Sequence, residues 1–218
     1  MRVALRRYAA AWAYLVGFTV ADLVYVALPP GRRSAFQGWA STNVVNLHHD
    51  PIGSLVVSAF IPSGYCYAWP AVIALALFGA NRALGNWRTV LVCTAGHVVG
   101  TLVSEGIVGY RIDHGLLPRS DSLIIDVGPS YVVVAATAAA VLYGSWLARI
   151  AAAVDLILLI TVGGIFSGLS TLQVSAVGHL TSIVTAVILS GLLVWRLRRT
   201  SLPVTPDGAP PAGGARHA

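Results

Sequence analysis

The 218-residue chain contains no lysine: its 14 basic residues are all arginine, and only eight residues are acidic. Charged residues make up 10% of the sequence, far below the ~25% of an ordinary soluble domain. With 56% hydrophobic residues and a mean hydropathy of +0.77, that shortage excludes a water-soluble globular protein and points to a polytopic membrane protein. Cysteine is scarce as well. Cys66 and Cys93 both fall within or beside apolar segments, a placement that supplies neither a disulfide framework nor a metal-ligand pattern. Nucleotide-binding loops, haem motifs and transporter-type internal repeats are missing, so the sequence implies no cofactor and no metal. The net charge of +6 does not call for a nucleic-acid partner, because the arginines cluster between apolar segments, where they report topology.

Six apolar segments are long enough to expect as membrane spans. The first, Tyr8 to Leu28, is too long for a signal-peptide core and lacks a convincing cleavage site, so it is expected to be retained. The others run from Tyr67 to Leu84, Thr89 to about Gly109, Gly128 to just before Arg149, Ile150 to Phe166, and Val174 to Trp195. Residues 31–66 form a mixed loop whose apolar piece, Ile52 to Ile61, is too short to cross and suits the interface or a tuck against the bundle. Residues 1–199 thus read as one all-α membrane domain, and 200–218 as a disordered Pro/Gly/Ala-rich tail. Six spans place both termini on one side. Ten arginines share that side, against Arg32, Arg33, Arg111 and Arg119 opposite, so the termini are expected in the cytoplasm.

Within this frame, Ser130 lies at the mouth of the fourth span and His179 about five residues into the sixth. Both spans start from the outer side, and at 1.5 Å per residue the two residues could agree in depth within about a turn. A serine hydroxyl is a poor nucleophile until a base takes its proton, and imidazole is the usual one. A serine at a helix start is more often a cap, and a membrane histidine is as readily interhelical glue. Elsewhere, His97 sits on a small-residue face between Gly96 and Gly100 and reads as interhelical glue or an inner-cavity residue. His48, His49 and Asp50 read as interface residues, since neighbours in sequence point apart and no further ligands recur. Asp155 is expected to snorkel toward Arg149, Glu105 to face a water-filled cavity, and Asp126 to cap the fourth span through the helix dipole or, second to that, to orient a neighbouring group.

The stretch Ser58 to Tyr67, continuing to Phe78-Gly79, with Leu84 to Arg88, Ala95 to Gly100, Gly128-Pro129-Ser130 and Gly178-His179-Leu180, resembles the rhomboid family of intramembrane serine proteases. The similarity covers about residues 55–195 and implies a six-transmembrane-helix rhomboid-like bundle with a partly membrane-embedded first loop. It implies Ser130 as nucleophile and His179 as its base in a rhomboid-type serine endopeptidase. Its partners would be membrane lipid and transmembrane protein substrates or clients. The all-arginine, alanine-rich composition suggests, by association, a GC-rich bacterial genome and hence a bacterial inner (cell) membrane.

The departures bear on activity. Active rhomboids place two histidines and an asparagine around the start of their second helix, the latter two helping to hold the oxyanion. Pro62, Tyr67 and Ala71 stand at those positions here. Tyr131 replaces the glycine after the serine, Val134 a tyrosine one turn on, and Thr181 and Ser182 small glycines that allow close helix approach. Pro129 directly before the serine resembles inactive rhomboid relatives, although those generally lose the serine as well. Loss of one oxyanion donor typically costs about 2.7–4 kcal/mol in barrier height. Support is then expected from the Gly128–Ser130 backbone and, from the second histidine's position, the Tyr67 hydroxyl, although Tyr67 reads more readily as a belt aromatic beside Tyr65 and Trp69. The alternative the departures imply is a catalytically inactive pseudoprotease that binds transmembrane segments.

Overall fold

The computed structural model describes residues 2–63 and 66–200, and the side chains of residues 5–63 and 67–199. Tyr65 and residues 201–218 of the expected tail lie outside the described set, while Thr200 is the last residue of a helix. The described residues form α-helices joined by turns and short 3-10 segments, with no strand among them. The helices are α1 (Arg2–Arg7), α2 (Ala9–Ala27), α3 (Pro30–Ala40), α4 (Val44–His49), α5 (Pro51–Ser58), α6 (Trp69–Leu84), α7 (Asn86–Asp113), α8 (Ser130–Tyr143), α9 (Trp146–Thr161) and α10 (Val174–Thr200). Three of them, α2, α7 and α10, are long and apolar enough to cross a membrane, while α6 and α8 are apolar but shorter.

Helix boundaries follow local chemistry. Asn81 and Asn86 bracket the tight turn at Gly85, whose φ of 81° suits glycine. Their side-chain oxygens accept from the Ala11 and Ala10 amides at the start of α2, and their amide groups donate to the Arg7 and Arg6 carbonyls at the end of α1. Two asparagines thereby satisfy orphan groups at both sides of the α1–α2 break. In the first loop, Asn43 caps α4 through the Asn46 N–H and Asp50 caps α5 through the Gly53 N–H, each at 2.9 Å. The segment expected to lie in the interface or tuck inward becomes the eight-residue α5, with Ala59 and Ile61 buried after it and Ile52 left exposed.

The short α8 is the centre of the molecule. Every residue from Tyr131 to Ala140 is buried, as expected for a helix that is apolar all round and surrounded by others. It packs against α6, α7, α9 and α10, and its 14 residues span only about 21 Å. Beside it, α7 and α10 meet along Gly96 and Gly100, where an added Cβ would come within 2.6 Å of Ala135 and 2.2 Å of the Ser182 hydroxyl respectively. Ser182 donates to the Gly96 carbonyl at 2.8 Å. Close helix approach therefore survives the loss of a glycine on α10, because the glycines are on α7 and the serine adds a hydrogen bond.

Two further expectations are corrected. Asp155 does not reach Arg149: it turns inward, buried, and accepts from the Thr137 hydroxyl of α8 at 3.0 Å, while Arg149 donates to the Leu142 carbonyl. An inward-facing polar pair avoids exposing a carboxylate to lipid. The fifth apolar segment stops being helical at Thr161 rather than at Phe166, because Gly163 and Gly164 follow, the latter at φ 61°.

Candidate functional site

Ser130 is the first residue of α8, and Pro129 precedes it as N-cap without a side-chain cap bond. Asp126 therefore does not cap this helix. Its carboxylate instead accepts from the Tyr131 hydroxyl at 3.1 Å and from Thr42 at 3.3 Å. Thr42 also donates its N–H and its hydroxyl to the Asp126 carbonyl at 3.0 Å, and Ser41 accepts the Asp126 N–H at 2.9 Å. Ser41, Thr42 and Asn43 are buried, so the first loop is clasped to the segment leading into α8. Burial pushes the Asp126 carboxyl up to about 6, against the hydrogen bonds from Tyr131 and Thr42, which lower it.

Ser130 lines a narrow cleft together with Thr42, Ser58, His97 and Tyr131, closed to a water-sized body in this structure. Its hydroxyl makes no hydrogen bond to His179 or to any other described residue. Being at the first position of α8, its N–H and those of Tyr131 and Val132 belong to the amides that a helix leaves without intrahelical acceptors. Gly128, at φ 139°, donates its own N–H to the Ser58 carbonyl at 3.0 Å. A Cβ at Gly128 would fall 2.6 Å from the Ser63 hydroxyl, so glycine is required both by conformation and by space. Tyr67 is 90% exposed and lines no part of this cleft.

The two histidines flank Tyr131. The Tyr131 ring meets His179 edge-on at 5.1 Å and lies 6.1 Å from His97. Its hydroxyl is seated against Gly178, where a Cβ would come within 2.1 Å of it, and also donates toward the Val174 carbonyl at 3.3 Å. Tyr131 thus fills the space that a glycine at its position would leave between α8 and α10. A carbonyl oxygen only accepts, so each imidazole has a defined tautomer. His179 donates Nδ1–H to the Ile165 carbonyl at 3.0 Å, which leaves Nε2 with a lone pair, buried and without a partner. His97 donates Nε2–H to the Leu55 carbonyl at 2.9 Å, with Ser58 at 3.5 Å, and its Nδ1 is likewise buried and unpartnered. His97 is glue between α7 and the end of α5, and it is also the imidazole that shares the Ser130 cleft. His179 does not line that cleft.

Glu105 is buried in α7, at 3% exposed. Asp50 is an N-cap, following His48 and His49 at the end of α4. The role of Tyr131 was the main feature that residue spacing did not reveal. Its signal was present all the same, as a bulky aromatic in a position where close packing asks for glycine.

No curated protein and no solved structure matches the chain. The family model for rhomboid-like proteins matches residues 4–201, a span that takes in every described helix from α2 to α10 and all the residues around Ser130 and His179. The chain belongs to the rhomboid-like protein family.

Proposed function

We propose that this rhomboid-like membrane protein is a six-span intramembrane serine protease of the bacterial inner membrane, with cytoplasmic termini, that hydrolyses peptide bonds in transmembrane segments. Residues 1–199 form its membrane domain and 200–218 a cytoplasmic tail. Ser130 Oγ attacks the scissile carbonyl carbon while His179 Nε2 takes the hydroxyl proton and returns it to the departing amine. Water then cleaves the acyl-enzyme ester and frees Ser130.

The observation that carries this reading is the His179 imidazole. The Ile165 carbonyl holds its Nδ1–H, leaving Nε2 as the free, buried basic nitrogen, the arrangement a general base needs. The unpaired amides at the start of α8 add support. Positive charge at a helix N-terminus favours an anion there and offers donors where the family's side chains are replaced by Pro62, Tyr67 and Ala71. Catalysis on this reading requires Tyr131 to move, so that substrate binding opens the closed cleft and brings Ser130 to His179. Catalytic hydrogen bonds are often absent before substrate binds.

A pseudoprotease that binds transmembrane segments without cleaving them is the second reading. It is favoured by Tyr131 standing between the histidines, by the Ser130 hydroxyl having no base partner, and by the Gly128 N–H being spent on Ser58. Labelling of the purified protein with a fluorophosphonate decides between them. Labelling that disappears in both Ser130→Ala and His179→Ala supports the protease. A well-folded wild type that takes no label supports the binding protein.

A further inference from the structure

The end of the molecule that carries most of its arginines also carries a groove, remote from Ser130, that the catalytic reading does not use. It is an open surface groove of about 430 Å³ between the start of α2, the outer face of α6 and α9, within the range of ligand-sized sites. Ala74, Phe78 and Arg82 succeed one another at four-residue intervals along α6, so they form a single stripe about 12 Å long. Leu75 and Gly79 lie beside that stripe. Gly79 lets α6 pack closely on its neighbours behind the groove, since its missing Cβ would sit 3.0 Å from Ala140 of α8 and 4.0 Å from Ala148 of α9. The far wall is Tyr8, at the junction of α1 and α2.

This groove is apolar along its length and polar at one end only. At that end the Arg82 guanidinium donates to the Tyr8 hydroxyl at 3.5 Å and has no carboxylate partner among the described residues. Arg7 lies over the Tyr8 ring at 5.7 Å, adding a second cation close by. The acidic residues of the described chain are elsewhere: Asp22 near the other end of α2, Asp155 bonded to Thr137, Glu105 buried within α7, and the rest in or beside the loops that join the opposite helix ends. A cation without a carboxylate partner at the head of an apolar surface groove matches a ligand with one anionic group and a long apolar tail. A guanidinium binds phosphate oxygens in a fork, and basic sites between transmembrane helices attract anionic lipid headgroups.

We propose that this groove binds one anionic phospholipid, its phosphate on Arg82 with the Tyr8 hydroxyl donating to a second phosphate oxygen, and one acyl chain lying along Phe78, Leu75 and Ala74. The site depends on the protein being membrane-embedded and is independent of whether Ser130 is catalytic.

The test is lipid retention by the full-length purified protein, read by native mass spectrometry after equilibration with detergent micelles containing equal amounts of phosphatidylglycerol and phosphatidylcholine. The wild type is expected to retain phosphatidylglycerol about fivefold over phosphatidylcholine, in line with one arginine at a membrane surface. Arg82→Gln, at an exposed position, should lose that preference and Arg82→Lys should keep most of it. Ala74→Phe, which fills the groove without entering the core, should lower retention of both lipids. Equal retention of the two lipids by the wild type would overturn the proposal. So would a preference that survives Arg82→Gln, or Ala74→Phe leaving retention unchanged. A groove covered instead by a second copy of the chain would show as a lipid-free dimer, which also rejects it.

Discussion

His97 and His179 stand on either side of Tyr131 and are built alike, yet they face different chemistry. Each spends one ring nitrogen on a backbone carbonyl from a segment outside its own helix, Leu55 for His97 and Ile165 for His179. Each leaves the other nitrogen buried and unpaired. His97 shares a cleft with Ser58 and Ser130, whereas His179 is screened from that cleft by an aromatic ring packed edge-on against it. The comparison teaches that a competent imidazole is not by itself a catalytic one. Tautomer and burial prepare a base, and the side chain between base and nucleophile decides whether the pair can act.

The strongest way to break this arrangement is Gly178→Ala. The new Cβ would fall 2.1 Å from Tyr131, inside a close-packed interface, and thermal unfolding is expected to show a loss of about 3 kcal/mol or more. Adding Tyr131→Ala to the same chain should recover much of that loss. Simple addition of the two effects would mean that Tyr131 does not occupy the space between α8 and α10.

A smaller but more informative change is Tyr131→Ala alone. It removes the screen, so fluorophosphonate labelling of Ser130 should rise severalfold. His179→Ala should abolish labelling in that background while His97→Ala should leave most of it. The reverse dependence would assign the serine to His97.

Asp126 sharpens the comparison from outside the membrane helices, because it holds the Tyr131 hydroxyl. Its folded-state value of about 6 exceeds the ordinary carboxyl value. The folded chain therefore keeps this proton to higher pH than the unfolded chain, and stability is greatest at low pH and falls as pH rises from about 4 toward about 6. Melting temperature measured in micelles should decline across that interval, and Asp126→Asn should flatten the profile there. The smallest effect is expected from Ser58→Ala. Its hydroxyl is 3.5 Å from His97 and 3.4 Å from the Leu55 carbonyl, contacts too long to contribute more than about 0.5 kcal/mol. A larger shift in the unfolding midpoint would show that Ser58, and not only Leu55, positions the imidazole.

Much of the helical frame was legible beforehand. Tyr8 to Leu28, Thr89 to Gly109 and Val174 to Trp195 each fall within a turn of the observed α2, α7 and α10 at most ends, since long apolar runs in lipid must satisfy their backbone groups internally and form helices. Family membership was legible through short motifs whose order and spacing agree. Helix ends that depend on particular turns were harder. The break at Gly163-Gly164 shortens the fifth apolar segment, and that break is what frees the Ile165 carbonyl for His179. Hydropathy registers such glycines as mildly apolar and passes over them.

The sequence by itself determined that this is an apolar, multi-helix membrane protein with its positive charge concentrated at one end, because composition and run length decide how a chain partitions between water and lipid. It also determined which residue types were available for chemistry. Only the tertiary structure decided how they were used. Asp155 turned inward to Thr137, Asp126 toward Tyr131 and Thr42, and Ser182 to the Gly96 carbonyl. The physical reason is that a buried polar group takes whichever partner the neighbouring helix brings within about 3 Å. That choice depends on helix rotation and separation, and therefore on packing between segments far apart in the chain. For Ser130 and His179, residue spacing suggested only a similar depth along their helices. Whether they meet depends on the ring of Tyr131, seated against a glycine 47 positions later in the sequence.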